Sequence, residues 1–165
     1  MYRIRVILDT EEDVIRDIDI SEKVNFIELH HQIIKAFDFD EGELAAFYVS
    51  NEDWEQGEEI SLLDFGGMPG MEAKVMSEVP LTEFLTEEGS KMIYVYDLLN
   101  LWTFYVDLLQ TDLPELEEVR ITKIVGDRPK EAPSKSMEAT NLEEEFEDEN
   151  FSGDENPDED PYDLF

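Results

Sequence analysis

Residues 2–37 run YRIRVILDTEEDVIRDIDISEKVNFIELHHQIIKAF, and this stretch decides the fold. Its first part, residues 2–8, alternates between apolar and polar side chains and is rich in β-branched residues, which predicts a strand. A polar turn follows, and Val14, Ile15, Ile18 and Ile20 then predict a second strand. Because the connecting turn is short, the two strands are expected to form an antiparallel hairpin.

Apolar side chains next recur at helical spacing. Residues 26–37 are predicted to form an amphipathic helix whose buried stripe consists of Phe26, Leu29, Ile33 and Phe37. Asn25 precedes this segment and Glu28 stands at its third position, a pairing that predicts a capping box. Residues 44–49 predict a third strand. This ββαβ opening resembles the opening of ubiquitin-like folds, although the arrangement is too common to identify one.

The remaining segments complete an α+β class with a mainly antiparallel sheet and one principal helix. Further short strands are predicted at residues 60–63, 92–96, 102–109 and 119–125, with one or two helical turns at 80–85. The domain is predicted to span residues 1–128. Residues 129–140 are rich in Pro, Ser and Glu, which indicates a linker. Residues 141–165 are predicted to be a disordered acidic tail.

Charge restricts the kinds of partner. Residues 141–165 contain 12 Asp or Glu and no Lys or Arg, while residues 1–140 hold 32 of the 44 acidic residues and all 12 basic ones, a net charge of −20. Such a surface repels phosphate backbones and anionic lipids, so direct binding to nucleic acid or to a membrane is not expected. A protein partner with a basic surface is the class that this charge favours.

Composition also restricts the chemistry. The chain has no cysteine, which excludes disulfides, thiolate nucleophiles and cysteine metal sites, and suits a cytoplasmic location. No apolar run approaches the roughly 20 residues that span a bilayer. No cofactor or metal site is predicted, and the sequence does not indicate an oligomeric state.

Two stretches carry the most specific pattern. They are Leu29-His30-His31-Gln32-Ile33 with Ala36-Phe37, and Tyr94-Val95-Tyr96-Asp97 with Trp102. Together they resemble the plasmid pRiA4b ORF-3-like family of transposon passenger-type proteins. That family typically shows a Leu-His-x-x-Ile helix running into Ala-Phe, and a Tyr-Asp-Phe-Gly-Asp-x-Trp-x-His hairpin.

The resemblance covers residues 2–130 and places His30, Tyr96, Asp97 and Trp102 at family motif positions. Leu98-Leu99-Asn100 stands where the family has Phe-Gly-Asp, and Phe104 stands where it has the final His. What the resemblance implies is an α+β domain, with no settled biochemical activity.

The same residues have physical interpretations of their own. His30 lies near the buried edge of the predicted helix, where a hydrogen-bonded packing role is expected, and His31 lies on its solvated side. Asp97 is expected to order the hairpin turn through its side chain. Trp102 is expected to pack in the core, on one strand face with other apolar residues.

Three functions follow from these observations. The first is a non-enzymatic protein-interaction module with an acidic surface. Its candidate partner-binding residues are Asp163, Leu164 and Phe165, because the two apolar side chains suit a small pocket with a basic rim. The second is a small-ligand-binding or enzymatic domain with a site near the 97–104 hairpin. The third is a nucleic-acid mimic.

Overall fold

The structure, a computed structural model, describes residues 1–64 and 74–133. Residues Met1–Pro133 belong to one compact unit. Its regular elements, in chain order, are β1 (Tyr2–Leu8), β2 (Ile15–Ile20), α1 (Phe26–Ala36), β3 (Ala45–Val49), β4 (Glu59–Ser61), β5 (Lys74–Val75), a 3₁₀ turn (Leu81–Glu83), β6 (Lys91–Tyr96), β7 (Trp102–Gln110) and β8 (Arg120–Val125). The predicted α+β class with one principal helix is confirmed.

The described strands form one sheet in the order β5-β4-β3-β6-β7-β1-β2-β8. Neighbouring strands are antiparallel, apart from the parallel pair β4 and β5. The predicted hairpin of β1 and β2 is confirmed, with Ile4 opposite Ile18. The pattern did not predict β5, because a strand of two residues is too short to show an alternation.

The core lies between α1 and one face of the sheet. The predicted apolar stripe of the helix is buried and contacts the sheet, with the Phe26 ring 5.1 Å from Phe47 and the Phe37 ring 4.8 Å from Phe104. The side chains of β7 that the alternation placed on one face are all buried, namely Trp102, Phe104, Val106 and Leu108. Helix and sheet therefore share one continuous apolar cluster.

The predicted capping box is wrong. The Asn25 side chain makes no hydrogen bond to the start of α1, and its Nδ2 instead donates to the Ser77 carbonyl over 2.7 Å. The first backbone N–H groups of the helix donate to the carbonyls of Val79 and Met76. A chain segment distant in sequence therefore satisfies donors that local capping side chains usually satisfy.

The second face of the sheet carries paired charges. Arg3 binds Asp19 through two hydrogen bonds of 2.8 and 2.9 Å, and Arg5 binds Asp17 with the same geometry. Both carboxylates are buried beneath their arginine partners. Planar pairs of this kind are stronger than single hydrogen bonds, and each arginine neutralises the carboxylate that it binds.

Several predictions concern residues outside the described ranges. The predicted disordered tail, residues 141–165, lies there, and so do Asp163, Leu164 and Phe165. The predicted domain end at residue 128 and the linker at 129–140 also stay predictions. Within residues 1–64 and 74–133, no helix has the length and apolar character needed to cross a membrane.

Candidate functional site

The four motif positions fall into two places. Tyr96 ends β6 and lies opposite Trp102, the first residue of β7, and Asp97 begins the turn between them. His30 lies on α1, where it contacts Tyr94, two residues before Tyr96. The fold therefore brings Tyr96, Asp97 and Trp102 together at one end of a hairpin and keeps His30 against the middle of the same strand.

His30 has the packing role that the sequence suggested. Its side chain is buried, and its Nδ1 lies 2.8 Å from the Tyr94 hydroxyl in a hydrogen bond. Burial, with a smaller contribution from His31, lowers the pKa of His30 to about 4. Burial also raises the pKa of Tyr94 well above its ordinary value. Both groups are therefore neutral near pH 7, as a buried polar pair requires, and neither is poised for proton transfer.

Asp97 orders the turn, as predicted. Its Oδ1 accepts hydrogen bonds from the backbone N–H groups of Leu99 (3.2 Å) and Asn100 (3.4 Å), and its Oδ2 accepts one from Nδ2 of Asn100 (2.6 Å). Its backbone N–H donates to the Leu44 carbonyl, and its carbonyl accepts from the N–H of Leu101. These contacts hold Asp97 and Leu101 at φ values of 64° and 56°. Residues other than glycine seldom adopt such positive φ values unless surrounding contacts impose them.

The turn that Asp97 orders exposes leucine side chains to solvent. Leu98, Leu99 and Leu101 are exposed by 41%, 93% and 40%, and we name these three residues the leucine tip. A single exposed leucine on a soluble protein needs no explanation, but a contiguous group does. In the sequence, Leu98 and Leu99 were noted only as departures from the family motif. Three leucines within a four-residue turn were the signal that could have identified this surface.

An aromatic cluster supports the base of the tip. Phe39 stacks on Tyr96 at 4.4 Å between ring centroids and meets Trp102 edge-on at 4.9 Å. The Arg128 guanidinium lies 4.6 Å from the Phe39 ring centre and 5.6 Å from that of Trp102. Trp102 is only 6% exposed, so its ring is used in packing and offers no face to a ligand.

Arg128 also closes the C-terminal end of α1. Its Nε and Nη2 donate to the carbonyls of Phe37 and Asp38, each over 2.7 Å. A cation in this position satisfies carbonyls that the helix leaves unpaired and complements the helix dipole. Sequence reasoning missed this role because about 90 residues separate the partners.

Carboxylates surround the same region. The Tyr96 hydroxyl donates to the Asp40 carbonyl. Burial raises the pKa of Tyr96, and the nearby charges of Glu43, Asp40 and Asp97 raise it further, while Arg128 opposes them. The tip is therefore an apolar surface with an acidic flank.

A groove of about 490 Å³ lies between the outer face of α1 and the segment that follows the helix. Its lining is mostly polar and consists of Glu28, His31, Gln32, Ile34, Lys35, Asp38, Phe39 and Glu41. Neither Tyr96 nor Trp102 contributes to it. Within the described part of the chain, no group of three or more His, Asp or Glu side chains could hold a metal ion.

The comparisons with known proteins agree with this fold. A crystal structure of a protein of unknown function from Methanosarcina mazei Go1 matches with a TM-score of 0.53, at 20% identity over 90% of this chain and 82% of that chain. At this identity the likeness shows the fold alone. No curated protein matches the chain. The model of the plasmid pRiA4b ORF-3-like proteins matches residues 1–152, which confirms the resemblance seen in the motif residues, and the chain belongs to that family.

Proposed function

We propose that this protein is a non-enzymatic interaction module that binds a partner protein through the leucine tip. The observation that carries the proposal is the 93% exposure of Leu99 on a turn whose backbone is held by Asp97. An apolar side chain on a rigid backbone loses little backbone freedom when it binds, which lowers the entropic cost of burying it.

The acidic flank indicates the chemistry of the partner. Asp40 and Glu43 are exposed beside the base of the tip, and both raise the pKa of the neighbouring Tyr96. A partner that matches this surface has a small apolar pocket with a basic rim. This is the same chemistry that the sequence suggested for Asp163, Leu164 and Phe165, which remain a second proposed contact.

Small-ligand binding is an alternative, and the groove beside α1 supports it better than the hairpin does. Its volume of about 490 Å³ is that of an ordinary ligand pocket. Ligand pockets, however, are lined mainly by apolar side chains, and Ile34 and Phe39 are the apolar members of this lining. The groove therefore supports this alternative less strongly than the tip supports partner binding.

The nucleic-acid mimic also stays an alternative, supported by the net charge of −20 on residues 1–140. It requires carboxylates in rows at phosphate-like spacing. On the second face of the sheet, Asp17 and Asp19 are buried and paired with arginines, which counts against such a row there. The cytoplasmic location stays a prediction from composition.

A capture experiment with matched variants tests the proposal. Tagged wild-type protein, Leu99→Ser and Leu116→Ser are used to capture partners under identical conditions, because Leu116 is an exposed leucine away from the tip. We expect one or more partners to be retained by the wild type and by Leu116→Ser, and lost with Leu99→Ser. Identical partners for all three variants would contradict the proposal. A truncation after residue 160 measures the share of Asp163, Leu164 and Phe165 in the same assay.

A further inference from the structure

The end of the sheet formed by β8 offers a second binding surface, independent of the leucine tip. Among the residues that the structure describes, β8 pairs with β2 and with no other strand. It is six residues long, whereas β5 at the opposite end of the sheet has two. An edge strand of this length presents unpaired backbone N–H and C=O groups that can accept another strand.

The two faces of β8 differ in chemistry. Ile121 lies opposite Ile18 and Ile124 lies opposite Arg16, on the same side of the sheet as α1. The helix does not cover them, and they are 37% and 66% exposed. Thr122 is the extra residue at a register shift, so both isoleucines point to one side although three positions separate them.

The opposite face of β8 is basic. Arg120 lies opposite Asp19 and Lys123 lies opposite Asp17. Those two carboxylates are held by Arg3 and Arg5, and neither Arg120 nor Lys123 forms an ion pair with a residue in 1–64 or 74–133. These two basic side chains therefore give this face of β8 a local positive charge, in a chain with 44 acidic and 12 basic residues.

We propose that β8 binds an extended acidic segment of a partner protein by strand addition. Backbone hydrogen bonds supply part of the affinity, and the side chains of β8 select the sequence. Because side chains alternate between the two faces of a strand, the partner segment alternates apolar residues, beside Ile121 and Ile124, with Asp or Glu, beside Arg120 and Lys123. A second copy of this protein fits less well, since pairing β8 with itself brings two sets of basic side chains together.

Binding of a defined probe to the full chain tests this proposal. The probe is a capped, fluorescent peptide of alternating valine and glutamate, and its affinity is measured by fluorescence anisotropy. The variants are Lys123→Glu and Lys130→Glu, which change net charge equally, because Lys130 is exposed outside β8. We expect Lys123→Glu to weaken binding roughly fivefold or more relative to Lys130→Glu, since it replaces an attraction with a repulsion. A probe N-methylated at alternate residues should not bind, because it lacks the backbone donors.

Amide hydrogen exchange locates the contact. Binding of the probe should slow exchange at β8 and leave the 97–101 turn unchanged, which separates this proposal from the leucine tip. The proposal is overturned if the wild type does not bind the probe, or if the two charge variants bind it equally. It is also overturned if β8 becomes protected at high protein concentration without the probe, because a second copy would then occupy the edge.

Discussion

The Asp97 carboxylate holds the backbone of Leu99, the most exposed large apolar residue among those described. Oδ1 of Asp97 accepts the Leu99 N–H over 3.2 Å, and the same carboxylate fixes Asn100. A polar side chain inside the turn thus keeps an apolar side chain in solvent. The turn is stabilised by contacts that do not involve the leucine side chain, which frees that side chain to bind.

Two substitutions of Asp97 test whether its side chain holds the turn. Asp97→Asn keeps an oxygen acceptor for the N–H groups of Leu99 and Asn100 and a residue type that tolerates positive φ, but it loses the carboxylate oxygen that accepts from Nδ2 of Asn100. We expect a loss of at most about 1 kcal/mol in unfolding free energy. Asp97→Ala removes the acceptor and leaves a φ of 64°, and we expect a loss of about 1–3 kcal/mol. Urea denaturation measures both. Equal stability of the two variants would show that the side chain does not hold the turn.

Substitution of Arg128 should weaken the junction between α1 and the hairpin. Arg128→Met keeps an unbranched apolar side chain in place of the arginine stem but loses the hydrogen bonds to the carbonyls of Phe37 and Asp38 and the cation–π contact with the Phe39 ring. We expect a loss of about 1–3 kcal/mol in unfolding free energy. Lys130→Met is the matched control, since Lys130 is exposed. A similar small effect from both variants would exclude the structural role of Arg128.

Lowering the pH should decrease the unfolding free energy, because His30 is buried in its neutral form. Its pKa is about 4 in the folded state and near 6.5 when unfolded, so the unfolded chain takes up the proton first as pH falls. The contribution of neutral His30 is therefore fully present above about pH 6.5 and is lost progressively towards pH 4. Carboxylate titration also changes the stability of this acidic chain, so the measurement is the difference between wild type and His30→Gln. We expect the advantage of the wild type to shrink by about 2 kcal/mol between about pH 7 and about pH 5.

His31→Gln provides the control for that measurement, because His31 is exposed. The stability of His31→Gln should keep most of the pH dependence of the wild type, because burial is the larger cause of the lowered pKa of His30 and His31 the smaller. If His30→Gln and the wild type lose or gain stability in parallel across this range, His30 is not the group responsible.

Two glycines should respond differently to an added methyl group. Gly126 directly follows β8 and has a φ of 70°, and a Cβ there would overlap the Asp13 carbonyl oxygen. Gly42 also has positive φ, at 107°, but a Cβ would meet open space. We expect Gly126→Ala to cost about 2 kcal/mol more than Gly42→Ala, because only the first adds a backbone clash to the unfavourable φ. Thermal unfolding of both variants measures the difference, and equal midpoints would contradict it.

Sequence patterns predicted most of the architecture where the signal is local. Alternation in residues 2–8 and helical spacing from Phe26 to Phe37 report which side chains face the core, and both were confirmed. The Asn25 capping box was wrong because residues 76–79, distant in sequence, supply the acceptors for the helix. The hydrogen bonds from Arg128 to the carbonyls at the end of α1 are long-range contacts of the same kind.

Sequence patterns predicted only part of the candidate site. Asp97 was correctly expected to order the turn, since short polar side chains commonly do so. The leucine tip was missed because Leu98 and Leu99 were interpreted only as departures from the family pattern. Composition does not report whether the side chains of a turn project into solvent or pack against the core. The edge of β8 was missed because pairing order is a property of the whole sheet.

The central claim is that the leucine tip binds a partner protein, and the affinity of a captured partner for Leu99→Ser tests it most directly. The dissociation constant is measured by calorimetry for the wild type, Leu99→Ser and Leu116→Ser, after denaturation shows that all three are folded. Because a buried leucine contributes about 1.5–3 kcal/mol, we predict that Leu99→Ser binds at least about tenfold more weakly and that Leu116→Ser binds like the wild type. Equal dissociation constants for all three proteins would contradict the claim.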